Sequence, residues 1–567
     1  MGKGKNKSKG RPPTVAPRSG SSIEGEPKCK RERRNSSSSS SDSSSLVPQV
    51  PPKLWKRFYE PLVLLAAYGK TQGPQIKLTS TEAEGPWHDD NRELRKQFLD
   101  QLAYICDYMR GGDTVTAIAV EDGPQLKYWI AANTNQGPKI KPLVSDILER
   151  LKNAFGISDS EARILQSEIS DTIISFCSKR LEYYKKELST PIRWCLKRLE
   201  TQDTEDAKKL KEWLSSLCQP DLDLKTLIQL CYDARVSGMT QAIAVRAEDM
   251  KRQQMSPSGG KYGEIRHLVG RLGSHIKAAG VLVEAGRRDP QLFTNYSVEV
   301  GACHPIFKSP THRNDPIDLI IRRMISDHSL CKFYQSEINS QNEKFNLDLE
   351  KRIKQVYEDR SFKLRLHAEI IILDHFYRND LPFLGGERYI GVSKPSCFLC
   401  YRYLQAHPMR AQTSGCSNNL YLQWQPPYIN DESESAIEEQ QSILIAMSKE
   451  IRKFVLDTIV PSHRGFNSHP DSTTGIETVS HTRKTLSKPR PRSTLKQSVL
   501  SAEYEKRPSK PSNMPISPDS FDNTSKSSNS SDGGVALDHF IFRRSFAIST
   551  ILAISSVCVG WVLASYR

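Results

Sequence analysis

The chain has 567 residues, enough for two or three domains and a sizeable core. Its hydrophobic content of 37% and mean hydropathy of −0.54 exclude a chain packed along its whole length, so part of it is expected to be unfolded. The formal charge of +16 sits in the tails: residues 1–53 hold 12 Lys and Arg against 4 Asp and Glu, and residues 462–544 hold 13 against 8. Composition therefore gives no support to a basic nucleic-acid groove on the body between them. The 12 cysteines accompany a polar, lysine-rich opening rather than an apolar signal segment, which points to reduced thiols or metal ligands and not to a disulfide scaffold.

Residues 1–52 are rich in Lys, Arg, Pro and Ser, with an unbroken run Ser36–Ser41, and are expected to form a disordered basic tail. Within them, Lys28-Cys29-Lys30-Arg31-Glu32-Arg33-Arg34 reads as a solvated charge run, with a nuclear import signal as the alternative. Residues 53–140 are expected to hold N-terminal helices and a first hairpin. Leu94, Phe98, Leu102, Ile105 and Met109 recur in steps of three or four, which predicts a helix over 90–110 capped by Asp90 and stopped by Gly111-Gly112. Thr114–Val120 and Leu126–Ala132, joined by Glu121-Asp122-Gly123-Pro124, predict a buried β-hairpin.

Residues 141–314 read as a mostly helical insertion. One start is marked by the capping-box spacing of Ser158 and Glu161, with Ile164, Ile169, Ile173 and Phe176 as the following apolar face. From 315 to 461 shorter elements are expected to alternate: a helix over Leu366–Tyr377, a strand over Arg388–Val392, a helix over Cys397–Ala406, a strand over Asn419–Trp424 and a long amphipathic helix over Glu432–Ile459. Such alternation predicts an α/β fold, a sheet covered by helices. Residues 462–544 return to a Ser-, Pro- and Lys-rich composition and are expected to be a disordered linker. Residues 545–566 carry no charge and follow Arg543-Arg544. At 1.5 Å per residue they are long enough for a C-terminal transmembrane helix, with a buried core helix as the alternative. An anchor there implies a membrane protein whose body stays cytosolic; without it, a nuclear or cytosolic location is expected.

The chemistry concentrates in His367-Ala368-Glu369 and, thirty residues after the His, Pro395-Ser396-Cys397-Phe398-Leu399-Cys400. A Cys-x-x-Cys at a helix start turns both sulfurs to one point, and the helix N-terminus favours the thiolates that Zn2+ needs. His367, Cys397 and Cys400 are thus candidate zinc ligands. Three protein ligands leave a tetrahedral position for water, and Glu369, two residues past the His, is placed to move that water's proton. The order H-x-E then P-C-x-x-C is that of zinc deaminases.

With these residues, and with Ser393-Lys394-Pro395-Ser396-Cys397-Phe398-Leu399-Cys400-Tyr401 and Ser414-Gly415-Cys416-Ser417-Asn418-Asn419-Leu420-Tyr421, the chain resembles a fungal and bacterial nucleic acid or nucleotide deaminase-like family of the cytidine deaminase-like superfamily. The resemblance implies a three-layer mixed sheet with helices on both faces, interrupted here by the helical insertion. It also implies that Asn133, at the end of the second hairpin strand, contacts a substrate sugar; the alternative is a strand-ending Asn in a turn. Trp129 and His375 are expected to be structural, Cys416 a buried thiol and His407 a helix-end His, rather than further ligands. The expected activity is zinc-dependent hydrolytic deamination of a nucleobase, free, in a nucleotide or in nucleic acid. The alternative is a catalytically inactive, membrane-tethered interaction protein with a structural zinc.

Overall fold

The computed structural model describes residues 50–69, 72–77, 91–235, 237–253, 259–301, 307–308, 315–359, 363–429 and 433–459. The basic tail up to residue 49, the 462–544 linker and the apolar run 545–566 lie outside the described residues. No helix among the described residues is long and apolar enough to cross a membrane. The fold is mixed α/β and mostly helical, built on a mixed sheet.

After helix α1 (Pro52–Tyr68), a two-residue strand β1 (Ile76–Lys77) and helix α2 (Arg92–Cys106), the chain forms the predicted hairpin. Strands β2 (Thr116–Glu121) and β3 (Leu126–Ala132) pair antiparallel, from Thr116 opposite Ala132 to Glu121 opposite Lys127. Side chains alternate across the hairpin, as strand geometry requires. Ile118, Val120, Tyr128 and Ile130 enter one hydrophobic core, while Ala117, Ala119 and Ala131 enter another. The sheet thus separates two cores, and the alanines on one side leave room for a helix to lie close.

Helix α2 ends earlier than its apolar repeat predicts. The backbone leaves the helix at Asp107, whose carboxylate turns to Arg180 and Thr114, and Met109 is left 42% exposed. At its start, Asn91 occupies the cap position and its side chain makes no capping hydrogen bond, while Asp90, the expected cap, lies outside the described residues.

The helical stretch after the hairpin comprises α3 (Gly137–Leu151), α4 (Asp159–Phe176), α5 (Ser178–Leu199), α6 (Glu205–Ser216), α7 (Leu224–Asp233), α8 (Met239–Arg252), the 29-residue α9 (Gly260–Arg288) and the short α10 (Gln291–Thr294). The capping box is present: Ser158 Oγ accepts from the Glu161 N–H and the Glu161 carboxylate accepts from the Ser158 N–H. Ile169 and Ile173 are buried, but Ile164 is 60% exposed. Five residues at 100° each set it about 140° from Ile169, outside the stripe. Helix α9 runs through the middle of the group, touching α2, α4, α5, α7 and α8. Gly273 permits this, since a Cβ there would lie 2.9 Å from the Cys231 carbonyl oxygen.

The helices return the chain to strand β4 (Tyr296–Val300), which pairs parallel with β3. The sequence reading missed this strand, because only Val298 of its five residues is buried and a period of two has nothing to register. Its presence explains the helical block in part. Adjacent parallel strands need a crossover, and α3–α10 are the crossover.

After β5 (Phe307–Lys308), helices α11 (Ile317–Met324), α12 (His328–Phe345) and α13 (Leu349–Glu358) occupy the region expected to begin the alternating elements. Beyond β6 (Lys363–Leu364), helix α14 (Ala368–Arg378) packs against β2 and β3, with Ile370–Leu373 buried as the run of apolar residues predicts. Strand β7 (Gly391–Val392) joins β2 antiparallel and completes the order β4-β3-β2-β7. A Cβ on Gly391 would meet the Leu99 backbone at 2.5 Å, so α2 rests directly on this strand. Helix α15 (Phe398–Ala406), a two-residue strand β8 (Gly415–Cys416) paired with β1, and helix α16 (Glu434–Ile459) follow.

The strand expected over Asn419–Trp424 does not form. Trp424 makes one isolated parallel bridge, to Arg365. The edge beside 388–396 is taken instead by the chain a few residues earlier, through bridges from Tyr389 to Gln412 and from Ser396 to Cys416.

Candidate metal centre

Two helix N-termini converge on one point. His367 is the residue preceding α14, in extended conformation (φ −87°, ψ 151°), and its carbonyl accepts from the Ile370 and Ile371 N–H groups. Cys397 holds the corresponding place before α15 (φ −75°, ψ 170°), and its Sγ accepts from the Cys400 N–H at 3.4 Å. His367 Nδ1 lies 3.2 Å from Cys400 Sγ and 3.5 Å from Cys397 Sγ. The three ligand atoms all fall within 4.8 Å of one another.

These separations fit a zinc ion. Zn–N of ~2.0–2.1 Å and Zn–S of ~2.3 Å around a tetrahedron place nitrogen and sulfur about 3.6 Å apart. The donor set, one imidazole and two thiols, is the borderline-soft set that zinc favours. Burial alone would raise both thiols. For Cys397 that effect is overcome by the Cys400 thiol and N–H and by the charge of His367, which hold it well below the usual thiol range. Cys400 stays well above that range through burial and the neighbouring Cys397 sulfur. One thiolate is therefore already favoured, and the positive end of α15 faces it.

The loop carrying the cysteines is fixed from several sides. The Ser396 N–H donates to the Gly415 carbonyl and its carbonyl accepts from the Ser417 N–H, while its hydroxyl meets Thr413 Oγ1 at 3.0 Å. Ser396, standing between Pro395 and Cys397, is thus part of a short parallel ladder. Lys394 Nζ donates to the Gly111 carbonyl at 2.7 Å, and Ser393 Oγ accepts from the Thr116 N–H, tying the loop to the start of the hairpin.

Glu369 is in the first turn of α14 and 5% exposed. Burial raises its carboxyl above the usual carboxylate range, opposed by the charge of His367, and it faces the Cys400 thiol.

Asn133 reaches the same helix start. Its Oδ1 accepts from the Ala368 N–H at 2.8 Å, and its Nδ2 donates to the Gly112 carbonyl at 2.8 Å. His367 supplies no side-chain cap, so Asn133 does this from another strand. Replacing Asn133 with Ala is expected to lower stability by about 0.5–2 kcal/mol, the usual worth of such a cap. Asp at this position retains the acceptor and should recover most of the loss in a denaturant titration.

Tyr421 was not singled out from the sequence. Its ring stands edge-on to His367 with centroids 6.3 Å apart, and the residue is 38% exposed. The turn that replaces the expected strand puts it there. Arg365, two residues before His367, pairs with Asp113 at 2.5 Å.

The remaining residues lie outside the cluster. Cys416 is buried, donates to Asn418 Oδ1 at 3.3 Å and is pushed up to about 12 by burial. His407 Nδ1 accepts from the Met409 N–H, and burial lowers the ring to about 4. His375 packs on Trp129 with ring centroids 4.0 Å apart, and Trp129 Nε1 donates to Glu121.

Residues 366–428 match the family model described as OTT_1508-like deaminase. The matched segment is similar to that deaminase family. It opens one residue before His367 and closes at Tyr428, so it contains all three candidate ligands, Glu369 and Tyr421. No curated protein and no solved structure matches the chain.

Proposed function

We propose that the protein is a zinc-dependent hydrolase that replaces the exocyclic amine of a nucleobase with oxygen and releases ammonia. The observation that carries this reading is the cluster itself: His367, Cys397 and Cys400 around one point, with Glu369 buried beside them and Cys416 turned away to Asn418. Bound there, zinc supplies the polarisation that lets a water lose its proton near neutral pH.

The chain's own residues do the rest. His367, Cys397 and Cys400 hold the ion. The Glu369 carboxylate takes the proton from the attacking water, delivers it to the ring nitrogen, and passes a proton to the departing amine as the C–N bond breaks. Atoms balance, since water and the aminated ring give the oxo ring and ammonia. Asn133 holds the α14 start, and with it the direction of both His367 and Glu369, through the Ala368 N–H. The near-neutral charge of the body favours nucleosides and nucleotides over long nucleic acid as substrates. Ammonia release screened across nucleosides, nucleotides and single-stranded oligonucleotides tests the reading. Release from none of them by zinc-loaded protein would overturn it and leave the zinc a structural part of an interaction protein.

The apolar run 545–566 is proposed to anchor this body to a membrane. Deleting 541–567 is expected to move the protein from the membrane pellet to the supernatant after cell fractionation. A truncated protein that still pellets with membranes would end the anchor assignment.

A further inference from the structure

On the face of the sheet where Val120 points, opposite to Ala117 and Ala119, a cavity of about 450 Å³ opens between the first turns of α2 and the segment Phe383–Tyr389. That volume is in the range of small-molecule sites. It does not include the metal centre, and the proposed deamination makes no use of it. Leu99, Val120 and Phe383 give it an apolar wall, and Arg92, Arg95 and Lys96 add basic side chains to the lining.

The charges are unevenly matched. Arg95 Nε donates to Asp289 at 2.5 Å and is satisfied by it. Arg92 and Lys96 share one carboxylate, Glu387, and Arg92 is in direct contact with it. Lys96 is left 3.7 Å from that carboxylate and 5.7 Å from the centre of the Tyr389 ring, with its side chain 13% exposed. Among the described residues it makes no hydrogen bond. A largely buried ammonium with its donors unfilled costs free energy that an anionic ligand would recover. Burial and Arg92 together push Lys96 below its ordinary value, consistent with that deficit.

We propose that this cavity binds a small phosphate ester carrying a flat ring, of mononucleotide size, with Lys96 and Arg92 at the phosphate and the wall of Leu99, Val120 and Phe383 against the ring. The phosphate oxygens accept from the ammonium and guanidinium, as charge-assisted hydrogen bonds do. The apolar wall accounts for the ring, since a cavity built for inorganic phosphate alone has no use for three hydrophobic side chains. The site also touches the metal centre's support. Tyr389 lines it, and Asp100 accepts from both the Tyr389 hydroxyl and the Val392 N–H, five residues before Cys397.

Isothermal titration of the full chain with adenosine monophosphate, adenosine and inorganic phosphate tests the proposal. The monophosphate is expected to bind at least tenfold more tightly than either of the other two. Lys96→Gln should weaken it tenfold or more, Lys96→Arg should restore most of the affinity, and Glu369→Gln should leave this binding unchanged. If Lys96→Gln does not fold, Arg92→Gln is read in the same way. Absence of binding, equal binding by the Lys96→Gln protein, or adenosine binding as well as its monophosphate would each overturn the assignment. Equal binding by Lys96→Gln would place the nucleotide at the metal centre instead.

Discussion

Glu369→Gln is expected to lower ammonia release by about 10²–10⁴-fold, the usual worth of a positioned general acid–base. Zinc content, measured by elemental analysis, should stay at one per chain, because Glu369 stands beside the ligand cluster without belonging to it. The substitution keeps shape and hydrogen bonding and removes proton exchange alone, so stability should change little. A carboxyl raised by burial, with His367 opposing, holds a proton more readily than an exposed one, as a group that must both take and give a proton requires. Two results would count against the assigned role. Undiminished turnover removes Glu369 from the reaction. Loss of zinc makes it a ligand, and the cluster then has four protein donors and no position for water. Cys397→Ala is the companion variant: it should lose zinc and ammonia release together.

What the sequence revealed of this centre, it revealed through short-range geometry. Cys-x-x-Cys at a helix start and His-x-Glu at another fix side-chain directions within one turn, so the cluster that could hold a metal was legible without the fold. The hairpin was legible for a similar reason: strong alternation on both strands, with a Gly-Pro turn between. Other features depended on long-range partners. Strand β4 exists because β3 offers an edge to it, and its own residues barely alternate in burial. The Asn419–Trp424 pattern alternates well but forms a turn. Asn418 takes a positive φ of 54°, and Leu420 and Trp424, four apart, go inward while Tyr421 goes out. The resemblance directed Asn133 at a substrate sugar; its place in this fold also brings both ends of its amide to backbone groups, at Ala368 and Gly112. No local pattern signals a cap delivered from 235 residues away.

Removing the charge of Asp107 is expected to cost more stability than removing that of Arg180, although the two form one buried ion pair. They meet at 3.1 Å, with side chains 0% and 2% exposed. Breaking such a pair from one side costs about 3–5 kcal/mol, mostly as an uncompensated buried charge. The two sides are not equivalent. Without Arg180, Asp107 keeps Lys394 at 3.6 Å and the Thr114 hydroxyl at 2.6 Å. Without the carboxylate, Arg180 keeps the neutral Tyr184 hydroxyl and the Asp107 backbone carbonyl. Burial alone would lower the guanidinium, and Asp107 is the main influence holding it above its ordinary value. Asp107→Asn should therefore fall near the top of that range and Arg180→Met near the bottom, in denaturant titrations followed by hydrogen exchange of α5. The double variant should lose less than the sum of the two. Asp107 also joins the crossover helices to the metal centre, since Lys394 reaches both its carboxylate and the Gly111 carbonyl and stands three residues before Cys397. Asp107→Asn should accordingly weaken zinc retention against a chelator, and Arg180→Met should do so much less. Equal zinc loss in both variants would mean that the pair acts through overall stability and not through Lys394.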